Sequence, residues 1–358
     1  MFRRSIVLLT VMIIAGRAGW HTSASESVIS IEYLVYASRI DWCRSTNEVA
    51  FDRGQSDALY DVYLGLSSNN ERCLTCNDTR FPGHNGNPAW HPAGQYLVFQ
   101  AEDVTLPFLP VEKEPAKSKL TSPGWGTNNH LWFMTRDRAS AWLVRRIEGG
   151  QGTLHPHFSR GGTKLTWAEK IGLVGTAEQW AVKVADVVWE SGTPRLDNVV
   201  EIAPLGIDLL YETHGFSADD TKVIFSAGDA ATKSLDIYTY ELATGVLENL
   251  TNTPGVWDEH AHMSPDGTKI IWASSQDITA TRNYFVPFLD FWMMDPDGSN
   301  RHRLTFFNEA SHPNYIPSGA VTGDLSFSAD GKTLLGRVEL PKTDIGQRGE
   351  VIVRIKLQ

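Results

Sequence analysis

The stretch His262-Met-Ser-Pro-Asp-Gly-Thr-Lys-Ile-Ile-Trp272 decides the fold, because it is one copy of a unit that returns along the whole chain. Residues 215–225 read GFSADDTKVIF, and residues 326–336 read SFSADGKTLLG. In each copy a large apolar residue is followed by a polar turn and, nine positions later, by a second apolar position, aromatic in five of the six copies. The pairs are Trp42 and Phe51, Trp90 and Phe99, Phe158 and Trp167, Phe216 and Phe225, Met263 and Trp272, and Phe327 and Gly336. Asp bonds its own backbone and Gly accepts the left-handed conformation cheaply, so the centre of the unit is a tight hairpin turn. The flanking alternation of apolar and polar residues is that of strands.

A second hairpin completes each unit: residues 61–75, 130–147, 236–251 and 290–305, with a degenerate copy at 180–202. Four strands that cannot bury both faces alone make a propeller blade, and six anchors make six blades. The anchors are 47 to 68 residues apart, so the variation lies in insertions outside the nine-residue core. The last unit ends after GEVIVRIKL with three strands, whereas SVISIEYLVY (27–36) is a spare strand before the first anchor. Pairing residues 28–36 with 350–357 would supply the fourth strand of blade six and remove an exposed edge. The expected fold is therefore all-β, a six-bladed propeller of four-stranded antiparallel blades occupying residues 25–358.

Residues 1–24 read as a signal peptide. Arg3 and Arg4 precede an apolar run, Ser5 to Gly16, too short to span a bilayer, and cleavage is expected after Ala18 or Ala24. Removing this segment takes the net charge from −10 to −13, with 29 basic side chains against 42 acidic. That acidity argues against nucleic acid or an anionic membrane as partner. The expectation is a periplasmic or secreted protein with no membrane insertion after cleavage.

The Ser-Pro-Asp-Gly turns and the Ile-Tyr…Gly…Leu-Thr endings resemble the repeat of TolB-type propellers, over roughly residues 28–358. The resemblance implies the fold and says little of function, because the repeated residues are structural. The propeller alone is expected to fill residues 25–358, without the small α/β domain that precedes it in TolB. The Gly-x-Ser-x-Gly of hydrolase-linked propellers does not occur.

Strand alternation puts the Asp-Gly turns at one end of the ring and the segments leading into each innermost strand at the other. The insertions at 103–128, 274–289 and 306–322 also belong to that second end, which makes it the expected ligand face. Polar residues gather there: His155 and His157 in blade three, Glu212 and His214 in blade four, Asp258, Glu259, His260 and His262 in blade five, with Asn87 in blade two and Asp324 in blade six. His155, Glu212, His214, Glu259, His260 and Asp324 are the expected ligand-binding residues. His155, His214, His260 and His262 are the candidate metal ligands, since imidazoles with a carboxylate suit zinc, manganese or iron, and calcium is a further candidate. Each His-x-His pair is expected to share a strand face. The His-x-His motif is similar to the metal-binding strand of oligogalacturonate lyases, also propellers but of different blade number. Hydrogen bonding between blades would account for the same residues without metal. Trp125, Tyr284, Phe285, Phe288 and Tyr315 line a groove or pack the insertions onto the rim.

Cys73 and Cys76 are expected to form a disulfide at the edge of blade one, with Cys43 free at the other end of the blade. Two functions follow: a binding or scaffold protein for a protein or glycan partner, or a metal-dependent polysaccharide lyase or hydrolase at the channel mouth.

Overall fold

The computed structural model describes residues 28–54, 59–66, 70–107, 116–174, 177–280, 286–340 and 349–358. The candidate signal segment 1–24 and the aromatics Tyr284 and Phe285 lie outside the described residues.

Six four-stranded antiparallel sheets are formed in chain order. The innermost strands of blades one to six are Ile40–Trp42, Asn85–Trp90, Gly152–Phe158, Leu210–Phe216, Asp258–Met263 and Val321–Phe327. Blade six takes its outermost strand from the beginning of the chain. Val28–Tyr36 runs antiparallel to Gly349–Leu357, from Val28 opposite Leu357 to Tyr36 opposite Val351.

The repeated turn has a local cause. Ser264 donates to Asp266 Oδ1 (2.6 Å), which also accepts the Thr268 N–H (3.0 Å), while Ser264 Oγ accepts the Lys269 N–H (3.0 Å). Gly267 sits at φ 76°, where a side chain would be strained. The same Ser–Asp bond recurs at Ser217–Asp219 and Ser328–Asp330.

The core is divided between blades. Trp90, Leu97 and Phe99 pack against Ala50 and Val62 of blade one, Trp167 against Val98 and Phe133 of blade two, and Trp272 against Ile224 and Ile237 of blade four. Phe291 and Met293 meet Leu325 and Val353 of blade six, and Leu335 and Ile352 of that blade meet Phe51 and Tyr63 of blade one. Fully burying a side chain of this size contributes about 1.5–3 kcal/mol, so each junction stabilises both of its blades. The insertion of blade two carries a short helix, Ala116–Thr121. Cys73 and Cys76 are disulfide-bonded, and Cys43 is a buried free thiol. Among the described residues no helix is long and apolar enough to cross a membrane.

Candidate functional site

The geometry of the channel begins with a defect shared by five innermost strands. Pairing with the next strand is broken between Gly86 and Ala89, Leu154 and His157, Thr213 and Phe216, Glu259 and His262, and Thr322 and Leu325. Such a bulge re-aims the side chain it contains. Asn87, His155 and His260 lie within it at φ 49°, 46° and 54°. For residues other than glycine this left-handed conformation costs about 1–2 kcal/mol each. His155, His260 and Asp324 stand three residues before the anchors Phe158, Met263 and Phe327, and Asn87 and Arg39 stand three before Trp90 and Trp42. The copy in blade four is Thr213, so this repeat position carries a polar residue in all six blades.

His155, His260 and Asp324 meet, each offering a ligand atom within 4.8 Å of the others, and all three are buried. Glu212, Glu259 and His260 form a second such group sharing His260. His260 Nδ1 lies 3.1 Å from Asp324 Oδ1, and its Nε2 lies 3.6 Å from Glu259 Oε1. His155 Nδ1 is 4.0 Å from Glu212 Oε2. Neither ring nitrogen of His155 has a hydrogen-bond partner, and neither do Glu212 Oε2 and Asp324 Oδ2. Buried polar atoms are ordinarily paired, so this group has unused ligand capacity.

The charges explain the titration behaviour. Burial and the neighbouring Glu259 push Glu212 up to about 7. Burial opposes the charged form of His260, but Asp324, Glu259 and Glu212 outweigh it and raise the imidazole to about 9. Burial alone would raise Asp324, yet His260 and His155 hold it well below the usual carboxylate range. Burial drives His155 well below the ordinary imidazole value. Without a bound cation, the charged state is therefore a His260 imidazolium among carboxylates, with neutral His155 beside it.

His214 and His262 belong elsewhere. His214 Nε2 accepts the His260 backbone N–H (3.2 Å) and lies 2.9 Å from the Ser226 hydroxyl, so that nitrogen braces blade four against blade five. The His262 ring packs 5.1 Å from that of His157, at the Asp-Gly-turn end of the channel. The two His-x-His pairs were expected to serve one site; the bulge and the rise along the strand give them different neighbours. Asp258 holds the blade together, accepting Trp272 Nε1–H (2.8 Å) and the Thr253 hydroxyl (2.6 Å). Asn87 is likewise committed, donating its side-chain N–H to Gln100 and to the Pro123 carbonyl while its backbone N–H reaches Asp52 Oδ2 (2.8 Å).

Sequence reasoning passed over Arg39, Asp52 and Arg337. Arg39 lies 3.9 Å from both Asp52 Oδ1 and Asp324 Oδ2, with its Nε unpartnered. Burial lifts Asp52 to about 6, against the opposing pull of Arg39. The signal for Arg39 was available, since it precedes Trp42 by the same three residues as the others. Arg337 follows Gly336 on the second strand of blade six and pairs with Glu350. No repeat position marks it.

Above the cluster opens a cavity of about 1010 Å³ whose lining includes His155, Glu212, His260, Arg39, Arg337 and Trp125. Its walls come from the insertion-bearing end of the ring. Lys119 stands over the Trp125 ring, 5.0 Å from its centroid. Phe288 packs instead with Leu289, Trp257 and Val321, and Tyr315 is exposed on the connection between blades five and six.

A six-bladed β-propeller with a buried histidine–carboxylate cluster beneath a loop-lined cavity is the class of protein that fold and site define. TolB of Acinetobacter baumannii shares the fold over 90% of this chain at 13% identity and a TM-score of 0.52, and this chain spans 64% of the TolB chain. Hydrazine synthase of Kuenenia stuttgartiensis matches 94% of this chain and 90% of its own at 11% identity and a TM-score of 0.52. An oligogalacturonate lyase solved in complex with manganese matches 91% of this chain and 90% of its own, at 12% identity and a TM-score of 0.46. At such identities the likeness establishes the fold alone. No protein-family model matches the chain, and no curated protein matches it in sequence.

Proposed function

We propose that this is an exported propeller that binds a glycan in its loop-side cavity, with a divalent cation held by His155, His260 and Asp324 at the cavity floor. The observation that carries the reading is His155. Its two ring nitrogens are buried and unpartnered, within ligand distance of an imidazole and a carboxylate. Two imidazoles and a carboxylate form a three-ligand set suited to zinc or manganese and leave a position for a ligand oxygen. The concave shape and the polar and aromatic walls favour a small or oligomeric ligand over a flat protein surface. Export is the remaining part of the proposal and rests on the basic start and short apolar run of residues 1–24.

The test is metal analysis of the purified full chain beside Asp324→Asn. The expected result is one equivalent of a divalent metal on the loop side, lost in the variant, with affinity falling as pH drops because the imidazoles must be neutral to bind. A wild-type protein that takes up no metal at this end under any of these conditions would overturn it.

A second reading, a metal-dependent lyase or hydrolase, is favoured by Glu212. A carboxyl group raised to about 7 beside the cluster is suited to taking or giving a proton at neutral pH. Glu212→Gln would then abolish turnover of a bound glycan while preserving its binding.

A further inference from the structure

The opposite end of the channel carries a separate pocket of about 210 Å³, among whose walls are His157, His214, His262, Asp41, Arg44 and Arg160. Most of its polar residues are committed. Asp41 accepts the Trp90 N–H (2.7 Å) and the Ser326 hydroxyl (3.0 Å). Arg160 donates to the Pro265 and Ser264 carbonyls. His214 is held by Ser226 and the His260 backbone. His157, His262 and Arg44 remain, and Arg44 is neighboured by Asp41. The Thr213 carbonyl neighbours the His157 ring, and the neutral imidazole keeps a lone pair on one of its nitrogens. His262 Nε2 is buried and has no hydrogen-bond partner. The two ring centroids are 5.1 Å apart. With metal–nitrogen bonds of about 2.1 Å at a tetrahedral angle, two imidazoles on one ion have centroids roughly 5 Å apart.

We propose that this turn-side pocket is a second metal site, in which His157 and His262 bind a borderline transition-metal ion such as Zn2+ or Cu2+ and water completes the coordination. Its chemistry differs from that of the loop side. There, Asp324, Glu212 and Glu259 crowd the imidazoles; here Asp41, the one carboxylate among the described lining residues, is already engaged. A site of imidazoles without a free carboxylate selects zinc and copper over magnesium or calcium. The inference does not depend on a cation at the loop side.

The experiment uses the full chain, stripped with chelator, loaded with Zn2+, desalted and assayed for metal. Wild type is compared with His155→Ala and His262→Ala, and circular dichroism checks that each is folded. In parallel, Cu2+-loaded His155→Ala is examined by electron paramagnetic resonance. The expected result is one equivalent retained in His155→Ala and lost in His155→Ala/His262→Ala, with the Cu2+ signal split by two nitrogens. Should His155→Ala hold no metal, or the double variant hold as much as His155→Ala, the second site is overturned. If His262→Ala is the single variant that loses metal, the loop-side reading fails and this one stands. Should His262→Ala fold poorly, His157→Gln takes its place with the same expected loss.

Discussion

The two ends of the channel are built from the same strands and have opposite characters. His155 and His157 come from one strand and His260 and His262 from another, each pair two residues apart. The loop-side member of each pair enters a group rich in carboxylates, where His260 is raised to about 9. The turn-side member enters a pocket in which burial dominates, and His157 is lowered to about 4. In blade five, two residues of rise therefore decide whether an imidazole is charged or neutral at pH 7, because the carboxylates are supplied by blades four, five and six at one level only, whereas in blade three burial keeps both His155 and His157 neutral.

The change that tests this contrast most severely removes both ends together. Deleting residues 25–37 takes away the outermost strand of blade six, paired along its length with Gly349–Leu357. It leaves an open sheet edge and removes Leu34 and Val35, which cover the junction of blades one and six. The expected outcome is loss of cooperative unfolding, or a fall of at least several kcal/mol by denaturant titration, well beyond ordinary single substitutions. A truncated chain with an unchanged midpoint would mean that the ring holds without this strand.

The next change acts on the loop side alone. Asp324→Ala in metal-free protein leaves the buried His260 without its nearest counter-charge, 3.1 Å away. Breaking a buried pair by removing one partner costs about 3–5 kcal/mol. The loss should be read by denaturant titration at pH 7, and the midpoint of Zn2+ binding at the turn side should not move. If both ends weaken together, they are not independent.

A third change gives the charge contrast a sign. Glu212 rises from its usual 4.5 to about 7 in the folded protein, and His260 from 6.5 to about 9. A group whose value is raised by folding stabilises fully below its unfolded value and loses that contribution as pH climbs through the folded one. Stability of the metal-free protein should thus fall between about pH 4.5 and 7 on account of Glu212, and between about 6.5 and 9 on account of His260. Glu212→Gln removes the first loss and keeps most of the second, since Asp324 and Glu259, the larger causes of the His260 shift, remain. The variant should exceed wild type by roughly 1–3 kcal/mol at pH 8 and match it near pH 4. Thermal melts across this range decide the matter, and a constant difference at every pH would refute the assignment.

The smallest effect is expected at a place that touches neither end. Replacing Cys73 and Cys76 with Ser removes a bond closing a very short loop. Chain entropy gives about 2 kcal/mol for such a loop. The variant should melt earlier and bind metal normally at both ends.

Much of this could be read from the chain. The nine-residue pairs place every blade, and the His and acidic residues before the anchors of blades three to six point to the mouth where His155, Glu212, Glu259, His260 and Asp324 gather. The division of the histidines was not legible. An i,i+2 spacing implies a shared face, and a bulge that alters this leaves no mark in composition, because His155 and His260 occupy a left-handed position that usually shows as Gly or Asn. Asp258 looked like a further acid of the mouth, yet its carboxylate faces the indole N–H of Trp272.

Sequence by itself determined the number of blades, the turn chemistry and the end of the ring at which polar residues collect, since these depend on local periodicity and on strands alternating direction. Tertiary structure alone decided which side chains meet across blades: Arg39 of blade one with Asp324 of blade six, and His155 of blade three with His260 of blade five. Those partners lie more than a hundred residues apart and are brought together by ring closure, a condition on the whole chain that no local pattern encodes.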